Sequence, residues 1–321
     1  MVQSWDSGIV HHLREVDALM KESIQSRSPE LTEICEHILG AGGKRMRPGI
    51  CILSYLAAGG DDPKDIIRVA SSFELIHSAT LIHDDINDQS ELRRGSIAAH
   101  KLYSVPKAII AGDFLFVQGF RLGGSQDEAV VQSIAGASAA MAESEFIQSD
   151  YEHRPKADEE VYRAIIEGKT ARPIEAGARV GAYLAGADPE WIDALGDYAM
   201  QLGMAFQIAD DILDVEGEEE RTGKRSGIDI VEGKPTLPII YAMEDPQHGP
   251  RIQEIFQNRD ASDADVREAL ELIKKTNSLE RCRNRAQELI DKGKGRLFEL
   301  PSSEHRDSLA ILADYVLARE R

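Results

Sequence analysis

Apolar residues recur along this chain with a period near 3.6, and that period predicts helices. Between Asp65 and Asp88 the apolar face is marked by Ile67, Phe73, Ile76 and Leu81. Similar patterns cover Lys107–Leu122, Glu128–Ser149, Glu159–Ala185, Pro189–Val215 and Thr236–Met243. Breakers fall between them, at Gly59-Gly60-Asp61-Asp62-Pro63, His153-Arg154-Pro155, Gly186-Ala187-Asp188-Pro189 and Asp245-Pro246. The alternating pattern of strands is nearly absent. No low-complexity linker divides the chain, so the expectation is one all-α domain over residues 1–321, a helical bundle around a central cavity. From about Ile252 onward the chain is charged and helical without a legible motif.

The helical pattern is interrupted by charge at two places. Asp84-Asp85-Ile86-Asn87-Asp88 and Asp210-Asp211-Ile212-Leu213-Asp214 each put carboxylates at i, i+1 and i+4. The first and last of each set stack one turn apart on a single helix face. Both lie in apolar stretches (LIHDDIND and FQIADDILD), where uncompensated charge is costly. An acidic run is usually a solvated face, but these flanks argue against that. The motifs start 210 − 84 = 126 residues apart, too far for a solenoid repeat. That spacing suits two antiparallel helices on opposite walls of a cavity, whose clusters would hold several hard divalent cations and with them a polyphosphate.

Composition narrows the partners. The 321 residues are 42% hydrophobic and 29% charged, as in a soluble globular protein. Net charge is 37 − 56 = −19, the wrong sign for a nucleic-acid partner. Cys35, Cys51 and Cys282 lack metal-site spacing and read as buried apolar residues in a reducing compartment. The N-terminus has no signal-peptide pattern, and no apolar run is long enough to span a membrane. A cytoplasmic location is expected.

Against this acidic background, clustered cations are informative. They occur in Gly42-Gly43-Lys44-Arg45-Met46-Arg47-Pro48, at Arg93-Arg94, at Lys169-Thr170, in Gly223-Lys224-Arg225-Ser226-Gly227-Ile228-Asp229, and in Gly233-Lys234-Pro235-Thr236. Any one of these reads alone as a surface cation or solvated turn. Together with two Asp-rich helices they make up metal-bridging carboxylates plus charge enough for two anionic substrates. His77, seven residues before Asp84, shares its helix face, as a ligand group or as a hydrogen-bonded core residue. Gln207, about one turn before Asp210, could face a developing cation or be a satisfied buried amide.

The string ELIHSATLIHDDINDQSELRRG, with GGKRMRP before it and KTA, GMAFQIADDILD and GKPTLP after it, resembles the trans-isoprenyl diphosphate synthases of the polyprenyl synthetase family. The likeness runs from about Gly42 to Tyr241 and implies an isoprenoid-synthase-type helical fold, a homodimer, and isopentenyl diphosphate and an allylic prenyl diphosphate as substrates. By the same resemblance, Asp84, Asp85, Asp88, Asp210 and Asp211 would bind three Mg²⁺ ions, with Asp214 acting through metal-bound water. Arg93, Lys169 and Lys224, with Lys234 nearby, would hold the allylic diphosphate. Lys44, Arg47, His77 and Arg94 would hold the diphosphate of isopentenyl diphosphate, and Gln207 and Thr170 would face the reacting carbons. The expected reaction is head-to-tail prenyl transfer.

Product length is expected to depend on Ala79 and Thr80, five and four positions before the first acidic motif, and on Phe114 of the next helix. In this family an aromatic residue at either of the first two positions typically stops the chain early. Both are small here, so the resemblance implies geranylgeranyl or longer. One departure from the family is Arg172-Pro173 after Lys169-Thr170-Ala171. There Pro173 should reinforce a kink, and Arg172 reads either as solvent-facing or as approaching a diphosphate. Two alternatives are a class I terpene cyclase and a non-catalytic regulatory subunit. The first would show a different second metal motif, and the second would usually lack one acidic motif.

Overall fold

In the computed structural model, which describes residues 4–217 and 226–318, helices follow the apolar periods closely. Helices α1 (Val10–Ser23), α2 (Pro29–Gly40), α3 (Met46–Ala57) and α4 (Lys64–Asn87) come first. A hairpin of two-residue strands follows, β1 (Leu92–Arg93) and β2 (Ser96–Ile97), antiparallel with Arg93 opposite Ser96. Arg94 and Gly95 make its turn, both with positive φ (51° and 80°), the backbone that a tight two-residue hairpin requires. This hairpin is the only sheet among the described residues.

Next come α5 (Ala99–Leu102), α6 (Val105–Gly123), α7 (Glu128–Tyr151) and α8 (Glu159–Ile166). The Asp158 carboxylate accepts from the Val161 amide (3.0 Å) and caps α8. A π-turn, Glu167–Ala171, joins α8 to α9 (Arg172–Leu184), so the single long helix expected here carries a wider turn at Lys169-Thr170. The kink expected around Pro173 is therefore a π-turn ending just before it. Helix α10 (Pro189–Glu216) carries the second acidic motif.

The residues form two compact units. The first gathers residues 4–138, 173–196 and 297–311; the second gathers the described residues of 139–172, 197–296 and 312–318. In the first, α4 is held by Ile66, Val69, Leu75 and Ile76, each at most 2% exposed. Burying each such side chain contributes about 1.5–3 kcal/mol. Helix α6 packs along α4 at close range because Gly119 has no side chain: a Cβ there would lie 2.7 Å from Ile76 Cγ1. In the second unit the π-turn approaches α7 in the same way, with a Cβ at Gly168 falling 2.7 Å from the Ala140 carbonyl oxygen. Cys35, Cys51 and Cys282 are buried, and none is joined in a disulfide, as expected.

Candidate active site

In the first unit the acidic motif sits at the C-terminal end of α4, with Asp88 as the C-cap. A helix C-terminus disfavours anions, so this end attracts cations strongly. Asp85 is 5% exposed, and Arg93 answers its charge. Two guanidinium nitrogens donate to Asp85 Oδ1, Nε at 2.7 Å and a terminal nitrogen closer still. The hairpin makes this possible by turning the chain back over the end of α4. Its next residue, Arg94, donates to the Gly42 carbonyl and so ties the glycine loop to the hairpin.

His77 lies at the centre of this basic group. Burial, followed by the charges of Arg47, Arg94, Arg93 and Arg45, pushes its imidazole well below the ordinary range. It is therefore a neutral donor or acceptor among cations. Arg45 has a different role from its neighbours. Its backbone is left-handed (φ 49°, ψ 36°), a conformation costing a non-glycine residue about 1–2 kcal/mol. Its side chain turns inward, donating to Glu74 (2.8 Å), Asp17 (2.9 Å) and the Leu39 carbonyl (3.3 Å). The charge of Arg45 thus anchors the junction between the loop that carries Lys44 and the first turn of α3, which carries Arg47.

In the second unit, residues from α8, the π-turn, α10 and the segment after residue 226 line a cavity of about 140 Å³. Lys169, Thr170, Gln207, Asp211 and Lys234 all face it. Thr170 donates to the Gln207 carbonyl oxygen (2.8 Å), and the Gln207 amide donates to Asp211 Oδ1 (2.9 Å). Tyr162 donates to Asp211 Oδ2 (2.6 Å). Burial, with the charges of Asp210 and Asp214, pushes the Asp211 carboxyl up to about 7, while these two hydrogen bonds pull it down. Lys169 pairs with Glu145, and Lys234 with Glu232 at 2.7 Å.

The Asp214 carboxylate accepts the backbone amides of Ile228 and Asp229 (both 3.2 Å) and so fastens the segment that carries Asp229 to the cavity. Burial and the nearby charges of Asp214 and Asp211 push the Asp229 carboxyl well above the usual carboxylate range.

Lys224 lies outside the described residues. Ala79 is fully buried on α4, Thr80 donates to the His77 carbonyl (2.8 Å), and Phe114 is half-buried on α6. Arg172 is 47% exposed and pairs with Glu167 (2.8 Å). Sequence reasoning missed Tyr162, Glu74 and Glu145, and it gave no role to Asp229 although that residue ends the 223–229 stretch. Of the three missed, only Tyr162 left a signal, a residue with one polar atom on an otherwise apolar helix face.

Among the described residues, no three His, Cys, Asp or Glu side chains converge closely enough to cage a metal ion by themselves. Mg²⁺ does not require such a cage, because it takes one or two carboxylates and completes its shell with water and substrate phosphate. The donors are all carboxylate oxygens, hard ligands that match it. Each unit of the helical scaffold thus carries carboxylates and basic groups, donors of the kind that a metal-bound diphosphate requires.

The comparisons with known proteins agree. The family model described as Polyprenyl synthetase matches residues 28–273. A short chain isoprenyl diphosphate synthase of Methanothermobacter thermautotrophicus is 39% identical over 310 residues, 95% of each chain. Octaprenyl diphosphate synthase of Escherichia coli is 35% identical over 309 residues, again 95% of each. The crystal structure of a polyprenyl synthase from Caulobacter crescentus CB15, complexed with calcium and isoprenyl diphosphate, superposes with a TM-score of 0.94. It is 35% identical and covers 99% of this chain and 97% of that one. This chain belongs to the polyprenyl synthetase family, and its fold and activity class are those of a trans-isoprenyl diphosphate synthase, a prenyltransferase.

Replacing Glu74 by Ala removes one partner from the Arg45 anchor while its guanidinium stays buried. Stability in urea should fall by about 3 kcal/mol. A loss below about 0.5 kcal/mol would show that the anchor is structurally idle.

Proposed function

We propose that this chain condenses isopentenyl diphosphate head-to-tail with an allylic diphosphate, making an all-trans polyprenyl diphosphate of geranylgeranyl length or longer. The observation that carries this reading is the grouping of Arg47, Arg93 and Arg94 around neutral His77, on the helix that ends in Asp84, Asp85 and Asp88. In this reading Lys44, Arg47, His77 and Arg94 bind isopentenyl diphosphate. Arg93, Lys169, Lys224 and Lys234 bind the allylic diphosphate. The six motif aspartates hold Mg²⁺, three ions by family resemblance. The whole chain acts as a single catalytic domain, a reading supported by a family match that runs through both units.

When bound, Mg²⁺ neutralises the allylic diphosphate and so makes it a leaving group. Arg93, Lys169 and Lys234 stabilise the charge that builds on that group as its C–O bond breaks, more in the transition state than before it. The double bond of isopentenyl diphosphate then attacks the allylic cation, and the proton lost afterwards passes to the released diphosphate. Thr170 and Asp211 fix which way the Gln207 amide faces. Its carbonyl oxygen retains a second lone pair for a developing cation.

Two further expectations belong to this reading. The first is homodimerisation, supported by an exposed apolar face on α6 formed by Val105, Ile109, Ile110 and Val117, each 41–61% exposed. Sedimentation should give twice the 35.4 kDa chain mass, and a monomer at micromolar concentration would refute it. The second is a cytoplasmic setting, supported by three buried thiols that form no disulfide. No helix among the described residues is long and apolar enough to cross a membrane. Terpene cyclisation is disfavoured by the second basic group, and a non-catalytic role by the presence of both acidic motifs.

The purified chain should incorporate isopentenyl diphosphate without a partner, and Asp84→Ala and Asp210→Ala should each lose turnover by orders of magnitude while melting normally. Near-normal turnover in either variant removes that aspartate from its assigned role. Ala79→Phe should shorten the dephosphorylated product on chromatography, because a ring there fills space the growing chain needs. An unchanged product would place the limit elsewhere.

A further inference from the structure

Tyr162 has no place in the reaction as written, yet it contacts one of the carboxylates that the reaction needs. Its ring is 4% exposed on α8, and its hydroxyl donates to Asp211 Oδ2 at 2.6 Å. The other oxygen, Oδ1, accepts from the Gln207 amide at 2.9 Å, and Gln207 is held in turn by Thr170 at 2.8 Å. Both oxygens of a carboxylate that is itself 4% exposed are thus fixed, each by an uncharged donor. An ionised carboxylate offers about four lone-pair sites, so two remain for a further ligand.

The uncharged character of these donors matters. Asp85 in the first unit is held by a guanidinium, which cancels charge as well as fixing direction. A phenol and an amide bring no charge of their own, so they orient Asp211 without cancelling the negative charge it presents to an incoming cation when ionised.

The π-turn sets up this arrangement. Tyr162 and Thr170 are eight residues apart, and on a regular α-helix they would point about 80° apart. A π-turn absorbs one extra residue, which reduces the offset to roughly 20° and puts both hydroxyls on the face toward Gln207 and Asp211. These last two are four apart on α10 and so share a face themselves.

We infer that Tyr162 is a positioning residue, orienting Asp211 through its hydroxyl so that the carboxylate presents to the divalent cation of a bound diphosphate. This rests on the function proposed above, but the test does not depend on prenyl transfer. The probe is Mn²⁺ with inorganic pyrophosphate, with binding followed by electron paramagnetic resonance. Tyr162→Phe keeps the ring and removes the hydroxyl, and its Mn²⁺ affinity should fall about tenfold or more, the range for lost partners of metal ligands. The Mg²⁺ needed for half-maximal turnover should rise by a similar factor, with KM for isopentenyl diphosphate unchanged.

The control is Tyr241→Phe, which removes another hydroxyl of the same unit, one bonded to Glu159 (2.7 Å), and should leave Mn²⁺ binding as in the wild type. Wild-type-like Mn²⁺ binding in a folded Tyr162→Phe, or an equal loss in Tyr241→Phe, overturns the inference. Should Tyr162→Phe fail to fold, the ultraviolet difference spectrum of the wild-type protein decides. Adding Mg²⁺ and pyrophosphate should perturb tyrosine absorbance, and no perturbation counts against the role. A wild type that binds Mn²⁺ normally yet makes no prenyl product would sink the function while leaving this inference standing.

Discussion

Keeping negative charge on helices that are otherwise apolar is the constraint on which the rest of the structure depends. Asp85 and Asp211 are 5% and 4% exposed, and neither is tolerable without partners. The two units meet the demand differently. In the first, a two-residue hairpin brings Arg93 back onto the helix end. In the second, neutral donors from α8 and α10 hold the carboxylate, and burial raises its proton affinity. Much of the local irregularity serves these two solutions, including the left-handed turn at Arg94 and the π-turn at Lys169.

The helices were legible because burial imposes a period on sequence. The expected Asp65–Asp88 corresponds to an observed helix shifted by one residue at each end, and the expected Pro189–Val215 to one longer by a single residue. The acidic motifs were legible because charge in an apolar stretch stands out. Arg45 was not, since a formula of Gly, Lys and Arg gives charge but not direction. Only the fold shows that Arg45 faces Glu74 and Asp17, in contrast to the outward Lys44. The π-turn was also hidden, because Glu167–Ala171 keeps a helical composition and Pro173 drew attention to a kink instead. Arg172 left two readings open, and its exposure and its pairing with Glu167 favour the solvent-facing one.

Asp214 illustrates how a motif position can be engaged by the fold itself. Its spacing from Asp210 marks it as a third member of the set. Its oxygens accept two amides of the segment that carries Asp229 and leads on to Lys234. Sequence spacing reports the face of a helix, and a carboxylate on that face can be engaged by backbone as readily as by a cation.

The pairing of Lys169 with Glu145, Lys234 with Glu232 and Arg93 with Asp85 has a consequence for selectivity. Each cation already has an anion of the protein's own, so an arriving ligand must outcompete it. A monoanion has little advantage in that exchange. In the function proposed above, a diphosphate arriving with divalent ions would give each lysine a denser charge and each displaced carboxylate a new partner. The built-in pairs would then act as a threshold, passing over small anions in favour of one that brings its own counter-charge.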